Sequence, residues 1–535
     1  MSMDRRHFLQ LSLALAGLGA CQTGTGSRKS VPGAIVGANA AVGHLLRDPQ
    51  PPPHPESYRD VDVLIVGAGI SGLSAARQLQ RKGVRDLLLL DLEEVPGGNA
   101  RHGSNHVSPF PWGAHYVPTP NNDLIEYLEF LQEAGVVTGF DAAGRPVYNE
   151  YHLCFDPQER LFINGRWQEG LVPQFGLGDP DLREVERFLR QMDAFRRALG
   201  RDGKPAFALP LDASSKDDAF TRLDKLTFRQ WLLSEGYRSP YVHWYANYCT
   251  RDDFGTRHDV VSAWAGIHYF AARKGVGANA AAGDVLTWPE GNGFLVKALA
   301  SSLGDRILTG HLAMRVVPGK NLVAVDVHDV VQQRMVGFRA RQCVLAVPQY
   351  VAARLLGDAQ RLATVRARLH YTPWLVANLL VNGLDELPAV PACWDNVLYD
   401  SPALGYVDAT HQLIRERSAL RNLTYYRPLT EEAPGAARRA AYGKKQPDWA
   451  PAILGDLRRA HPNIDRQVER LDVLLWGHPM AQPLPGLLHG PLRAQLAASP
   501  HPRLHFAHSD LAGISIFEEA FYQGLGAANK ILQYA

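Results

Sequence analysis

The chain has 535 residues, 46% of them hydrophobic, which is ample for a large core and sets a prior of about two to four domains. Its 56 basic and 54 acidic residues leave a net charge of +2, and no basic cluster carries interleaved aromatics, so a nucleic-acid partner is not expected. Cys154, Cys249, Cys343 and Cys393 are widely scattered, with no CxxC and no histidine at ligand spacing, so no metal site is expected either.

Residues 1–21 read as a targeting segment. Arg5 and Arg6 followed by His7, Phe8 and Leu9 match a twin-arginine export signal, and the apolar run Leu11 to Ala20 is shorter than the roughly 20 residues that span a bilayer. The run ends Leu18-Gly19-Ala20-Cys21, which resembles a lipoprotein cleavage box. Cys21 is therefore a candidate lipid anchor to the membrane, a plain leader being the alternative, and the expected location is the periplasm. Twin-arginine export carries folded proteins, which suits a chain that acquires a cofactor before it crosses. Four further cysteines in an exported chain can pair, but a protein folded in reducing cytoplasm more often keeps them as small buried hydrophobes. Residues 22–59 are rich in Gly, Ser and Pro, with five prolines between Pro49 and Pro55, and read as a tether without packed elements.

The strongest signal follows. An apolar strand in VDVLIVGAGISGL (Val61 to Leu73) runs into Gly67-Ala68-Gly69-Ile70-Ser71-Gly72 and then a helical pattern. Gly67 permits the turn, Gly69 lets backbone approach a pyrophosphate and Gly72 lets the helix pack on the strand, so free N–H groups and the helix dipole face the phosphates. A second apolar run, Leu87 to Leu90, ends in Asp91, 24 positions after Gly67, close to the roughly 20 expected of the carboxylate that holds a ribose.

Beyond Asp91 comes a glycine pair, Gly97 and Gly98, then Asn99 and Arg101. From GAGISGL through LLLLDLEEVPGGNAR the chain resembles the FAD-binding start of the flavin-containing amine oxidase and phytoene desaturase superfamily, with Asn99 where many members carry Arg. In that departure it is similar to bacterial polyamine dehydrogenases of the spermidine type. The resemblance implies an α/β fold in which a Rossmann-like FAD-binding domain is interleaved with a mixed-sheet and helical substrate domain, and places the glycine pair at the pyrophosphate and ribityl side. It also implies that the segment through Trp112, Gly113, Ala114, His115 and Tyr116 passes beside the flavin ring, where a glycine allows close approach.

On this reading residues 60–119, 285–350 and 476–535 build the FAD domain, and 120–284 and 351–475 the substrate domain. Helices are expected over Asn122 to Ala134 and Asp181 to Leu199, with a hairpin at Leu161 to Trp167 turning on Asn164-Gly165. Strands are expected at Arg306 to Val317, Leu322 to Val331, Gln342 to Pro348, Trp374 to Val381 and Leu423 to Arg427. By the resemblance, Met314 to Val317, and Val316 in particular, lies against the adenine end. The closing segment around Leu504 to Ala528 resembles the superfamily's final strand, acid and helix. There Asp510 would reach the cofactor's ribityl or pyrophosphate side, and a helix starting near Phe517 and Glu518 would aim its N–H end at the flavin C2 carbonyl.

The implied chemistry is oxidation of an amine C–N bond, plausible for a polyamine, by hydride transfer to flavin N5. Trp476 stands where relatives carry an aromatic wall beside the amine, but Met480 and Gln482 follow where a second ring would be wanted. Asp252 and Asp253, read as lying in a loop, are candidates for a distal cation, with capping or pairing to Arg251 as the bland alternative, and His115 is a candidate proton carrier. Two other functions stay open: desaturation or isomerisation of an apolar substrate, and non-catalytic binding or escort, which the intact glycines with Asp91 and Asp510 argue against. The electron acceptor is open between oxygen and a quinone or cytochrome.

Overall fold

The computed structural model describes residues 31–47, 54–385, 390–415 and 418–533, so residues 1–21, expected to be an export segment, and with them Cys21, lie outside the described residues. The chain is a mixed α/β protein built on two large sheets. In the first, Leu87–Leu90, Tyr58–Val66 and Arg334–Leu345 run parallel and are buried where they lie side by side, at Val63 to Val66, Leu87 to Leu90 and Cys343 to Leu345, as parallel strands covered on both faces must be, apart from the partly exposed first residues of the two longer strands. Arg334–Leu345 serves two neighbours along its other edge: its first half pairs antiparallel with Val323–Asp329, and Cys343 to Leu345 pair with the late strand Leu504–Phe506. A segment nearly 440 residues downstream of Tyr58–Val66 is thereby docked two strands away from it.

The glycine turn is fixed by contact. Gly67 has φ +103°, and a Cβ there would lie 2.4 Å from the Ala346 carbonyl oxygen. A Cβ on Gly72 would lie 1.9 Å from the Gly67 carbonyl, so only glycine lets the helix Ile70–Arg81 start this close to the strand. The final helix, Phe517–Leu532, packs along it, with Gly524 so close that an added Cβ would meet the Ser71 carbonyl at 2.2 Å.

The second sheet has eight strands centred on Val468–Ala481, Tyr371–Asn382 and Leu420–Pro428, antiparallel and long. Its far edge is the hairpin Glu159–Ile163 and Arg166–Glu169, whose turn residues Asn164 and Gly165 both have positive φ, as a two-residue inward-twisting turn requires. Asp395–Leu398 joins this hairpin in parallel.

Two expectations change. Residues 31–47 are packed, not a tether: Ile35–Val36 pairs in parallel with Val473 and Leu474, the Ala34 N–H donates to Asp472, and a Cβ on Gly33 would collide with the Leu471 carbonyl. Small residues let this piece lie flat on an open strand edge. Asp252 and Asp253 sit in the last turn of a helix, Pro240–Phe254, started by proline and ended by Gly255 in the left-handed conformation. Cys154, Cys249, Cys343 and Cys393 are free and buried. Among the described residues no helix is long and apolar enough to cross a membrane, and no cluster could hold a metal ion.

Candidate active site

Three cavities form a series in which the middle one shares wall residues with each of the others. The first is a groove of about 450 Å³ whose wall combines Gly67, Gly69, Ile70 and Ser71 with Asp91, Gly97, Gly98 and the start of the final helix. The two glycine signals meet here. The Gly97 N–H donates to the Ala68 carbonyl at 2.9 Å, and an added Cβ on Gly98 would lie 3.5 Å from the Gly69 Cα. Gly69 itself faces open space. Neither Ile70–Arg81 nor Phe517–Leu532 has a side-chain cap, so both helices turn uncovered first-turn amides and positive dipole ends towards this wall. The Asp91 carboxylate accepts the Ala68 and Glu93 N–H groups, both at 2.8 Å, and burial pushes its pKa up to about 6.

At the end formed by Asn99, Ala114, Trp476, Pro479 and Phe517 the groove shares its wall with a pocket of about 140 Å³. The pocket has an aromatic side. Trp476 and Trp374 are opposed across antiparallel strands, and Tyr116, Tyr426 and Phe517 add rings to the same wall. Trp476 is oriented by its indole N–H, which donates to the Trp112 carbonyl at 2.6 Å, and Tyr426 by its hydroxyl, which donates to the Gly113 carbonyl at 3.0 Å. A Cβ on Gly113 would lie 2.1 Å from the Asn99 carbonyl, so this glycine is required by packing within the chain.

His115, Tyr116, Asp252, Arg273 and Tyr426 wall both this pocket and a larger chamber of about 560 Å³. The chamber is rich in phenols (Tyr245, Tyr248, Tyr269, Tyr406) and is lined by four acids, Glu159, Asp252, Asp284 and Asp395, and four basic side chains, Arg196, Arg197, Arg273 and Lys274. Asp395 and Glu159 are directly opposed on neighbouring parallel strands, and neither has an ion-pair partner among the described residues. Burial, with the charges of Asp252 and Glu159 behind it, raises the Asp395 pKa well above the usual carboxylate range. Asp252 accepts from the Tyr116 hydroxyl at 3.1 Å, and burial, then the charge of Asp253, raises it to about 7. Asp253 is paired with Arg273 at 2.7 Å.

The residues singled out from sequence separate into wall, support and misplacement. Gly67, Gly69, Ile70, Ser71, Asp91, Gly97, Gly98, Asn99, Ala114, Trp476 and Phe517 line the groove, while Gly113, His115 and Glu518 line the pocket. Ala68, Gly72, Arg101 and Trp112 stand behind the wall, Arg101 pairing with Glu93 at 2.8 Å. Two expectations are corrected. Asp510 is fully buried away from the groove, because the chain turns after Leu504–Phe506 and points its carboxylate back to the Gln349 N–H (2.8 Å), the Tyr371 hydroxyl (2.7 Å) and His508 (3.0 Å); His508 and Ser509 take the place on the wall. Val316 lies beyond a bulge in its strand, buried opposite Val325, and the groove meets that strand earlier, at His311, Leu312 and Ala313. Sequence reading missed Asp395, Glu159, Tyr426 and Trp374, which share a site only through strand pairing, and the cover that Ala38 to Leu46 gives the groove.

A groove with two uncovered helix ends, two glycine turns and a ribose-side carboxylate fits a dinucleotide, and its opening into an aromatic pocket fits one whose far half is a flat redox ring. Fold and site thus define a dinucleotide-dependent α/β oxidoreductase. The family model for flavin-containing amine oxidoreductases matches residues 70–532, and the chain belongs to that family, with FAD as its cofactor. Among curated relatives, mitochondrial dimethylglycine dehydrogenase of Rattus norvegicus is 31% identical over 101 residues, 19% of this chain and 12% of that one. A Mycobacterium tuberculosis protein named as flavin-containing monoamine oxidase AofH is 26% identical over 261 residues, 48% of this chain and 51% of its own. The chain therefore matches about half the length of the second relative and less of the first. Cyclohexylamine oxidase from Brevibacterium oxydans shares the fold with a TM-score of 0.63 at 17% identity, covering 89% of this chain and 99% of that one. Wild-type putrescine oxidase bound to putrescine does so at 0.61 and 16%, covering 89% and 100%.

Proposed function

We propose that the chain is an FAD-dependent enzyme that oxidises a C–N bond of an amine carrying a second cationic nitrogen, as diamines and polyamines do. The observation that carries this reading is the run of shared walls from the groove through the aromatic pocket to the chamber, where Asp395 and Glu159 are opposed on neighbouring strands without an ion-pair partner among the described residues. Like charges opposed on a sheet are unfavourable, and an ammonium between them relieves the repulsion.

In this assignment Gly67, Gly69 and the first turn of Ile70–Arg81 hold the pyrophosphate, Asp91 a ribose, and Gly97 to Asn99 the ribityl side. The first turn of Phe517–Leu532 stabilises negative charge at the ring. When bound, FAD supplies a two-electron acceptor for a hydride equivalent from the carbon beside nitrogen. Trp476, Trp374 and Tyr426 exclude water and orient the amine in the pocket. The chamber phenols guide the remainder of the chain, and Asp395 with Glu159 fixes its far cation. The twin-arginine leader supports loading of the cofactor before export to the periplasm.

Anaerobic mixing of the purified holoenzyme with a panel of amines tests this. Diamines and polyamines are expected to bleach the flavin faster than monoamines of equal length, and apolar polyenes not at all. Failure of every amine to bleach it overturns the reading. Hydrogen peroxide formed per turnover then separates oxygen from a quinone or cytochrome as acceptor.

A further inference from the structure

We propose that Asp252 is the group that takes the proton from the incoming substrate ammonium, at the neck between the chamber and the reaction pocket. The inference rests on the amine reading above and names a catalytic residue for it. An amine must lose its proton before its nitrogen lone pair can assist cleavage of the neighbouring C–H bond, and at neutral pH a primary amine with a pKa of roughly 10 is almost wholly protonated.

The neck narrows the choice of acceptor. The residues that wall both cavities include two that can accept a proton, His115 and Asp252. His115 stacks on Tyr426 with ring centres 4.5 Å apart, and burial lowers its pKa to about 4, which makes it a poor base. Asp253, next on the same helix, is committed to Arg273. Asp252 has no ion pair of its own among the described residues; it accepts a single phenol, Tyr116, and its remaining oxygen capacity faces the cavities.

The groups around Asp252 come from every neighbouring element. Asp253, Tyr248 and Cys249 belong to its own helix, Tyr269 to the next helix, Ala263–Ala271, Arg273 to the segment just after it, and Tyr116, Asp395 and Tyr426 to three strands. Of these only Arg273 is a cation, and Asp253 already neutralises it. Burial therefore dominates and lifts Asp252 to about 7, so that it is still ionised in part at neutral pH and is a far stronger base than an ordinary carboxylate.

In the step itself one N–H bond of the ammonium breaks and one O–H bond forms on Asp252, turning an ion pair into a neutral amine and a neutral carboxylic acid. A poorly solvated neck favours that neutral pair over two buried charges. The proton returns to water through the chamber when product leaves, and no oxidant is consumed in the transfer.

The test is the pH dependence of kcat/KM for a monoamine, measured on the flavin-loaded wild type, Asp252→Asn and Asp252→Glu. The wild type should rise through a pH near 7 to a plateau. Asp252→Asn should lack that step, rise about tenfold per pH unit towards the amine's own pKa, and so fall about a hundredfold behind near pH 7.5 yet recover near pH 10. Asp252→Glu should keep a step. A readout free of turnover is the proton count on binding tert-butylamine, which has no hydrogen on the carbon beside nitrogen: calorimetry in buffers of different ionisation heat at pH 8.5 should show no proton released by wild type and about one by Asp252→Asn. Should Asp252→Asn fail to load flavin, Tyr116→Phe replaces it, and the step should move upward because a hydrogen bond to the carboxylate is lost. An unchanged step in Asp252→Asn, an equal loss at every pH, or equal proton counts overturns the proposal. If wild type itself oxidises no amine, it is the functional reading that fails.

Discussion

The glycine groove and the phenol-lined chamber are linked through the aromatic pocket that shares wall residues with each, yet they are encoded in opposite ways. The groove is written in short runs: a strand, a turn of three glycines and a helix within Tyr58 to Arg81, and a second glycine pair soon after. Each glycine there answers a local demand, a positive φ at Gly67 or an approach under 2 Å at Gly72. The chamber has no such grammar. Its facing acids are 236 positions apart and meet only because Asp395–Leu398 pairs in register with Glu159–Ile163. Groove residues are constrained by backbone geometry, chamber residues by charge, and the two should break differently.

The sharpest break is expected in the groove. Gly72→Ala puts a methyl 1.9 Å from the Gly67 carbonyl and should cost about 3 kcal/mol or more, leaving little soluble flavin-loaded protein. Gly69→Ala meets nothing within 4 Å, so the cofactor-free protein should melt at an unchanged temperature while flavin content falls. Equal damage from both in a thermal scan would mean that Gly69 is structural and not a cofactor contact.

In the chamber, Asp395→Asn should lower kcat/KM for diamines about 10- to 100-fold, corresponding to one charge-assisted contact, and leave monoamines within about threefold. Its stability should hold or rise slightly, by about 0.5 kcal/mol, because the repulsion from Glu159 is relieved. A uniform loss across amines would remove the case for a distal cation subsite. A smaller effect is expected from a chain that begins at residue 54. It lacks the cover of Ala38 to Leu46 and the pairing of Ile35–Val36, so flavin should dissociate about tenfold faster by fluorescence while amine preference is kept.

This contrast explains how much was legible from sequence. Strand, turn, helix and Asp91 could be placed residue by residue because their spacing is itself the signal. Asp510 and Val316 are both read from the family resemblance, Asp510 as the end of a strand and Val316 through backbone contacts, whereas a turn after Phe506 directs the Asp510 carboxylate to Gln349 and Tyr371, and the groove meets the other strand before its bulge between Ala313 and Arg315. Asp252 was recognised as a candidate but read as a loop residue, although Pro240 and Gly255 mark both ends of its helix. Residues 22–59 read as a tether for their glycine, serine and proline content, yet within them Gly33 and Gly37 are what let Ile35–Val36 lie against Leu471 to Leu474. Asp395, Glu159, Trp374 and Tyr426 gave no local signal, since pairing between distant strands creates their proximity.

The most direct test of the account is a crystal structure of the flavin-loaded protein with an unreactive diamine. The account predicts the pyrophosphate against Gly67 to Ser71, the flavin ring at the groove end formed by Trp476 and Phe517, one nitrogen in the aromatic pocket and the other between Asp395 and Glu159. A flavin ring at the opposite end, beside His311, or a diamine bound outside the chamber would contradict it.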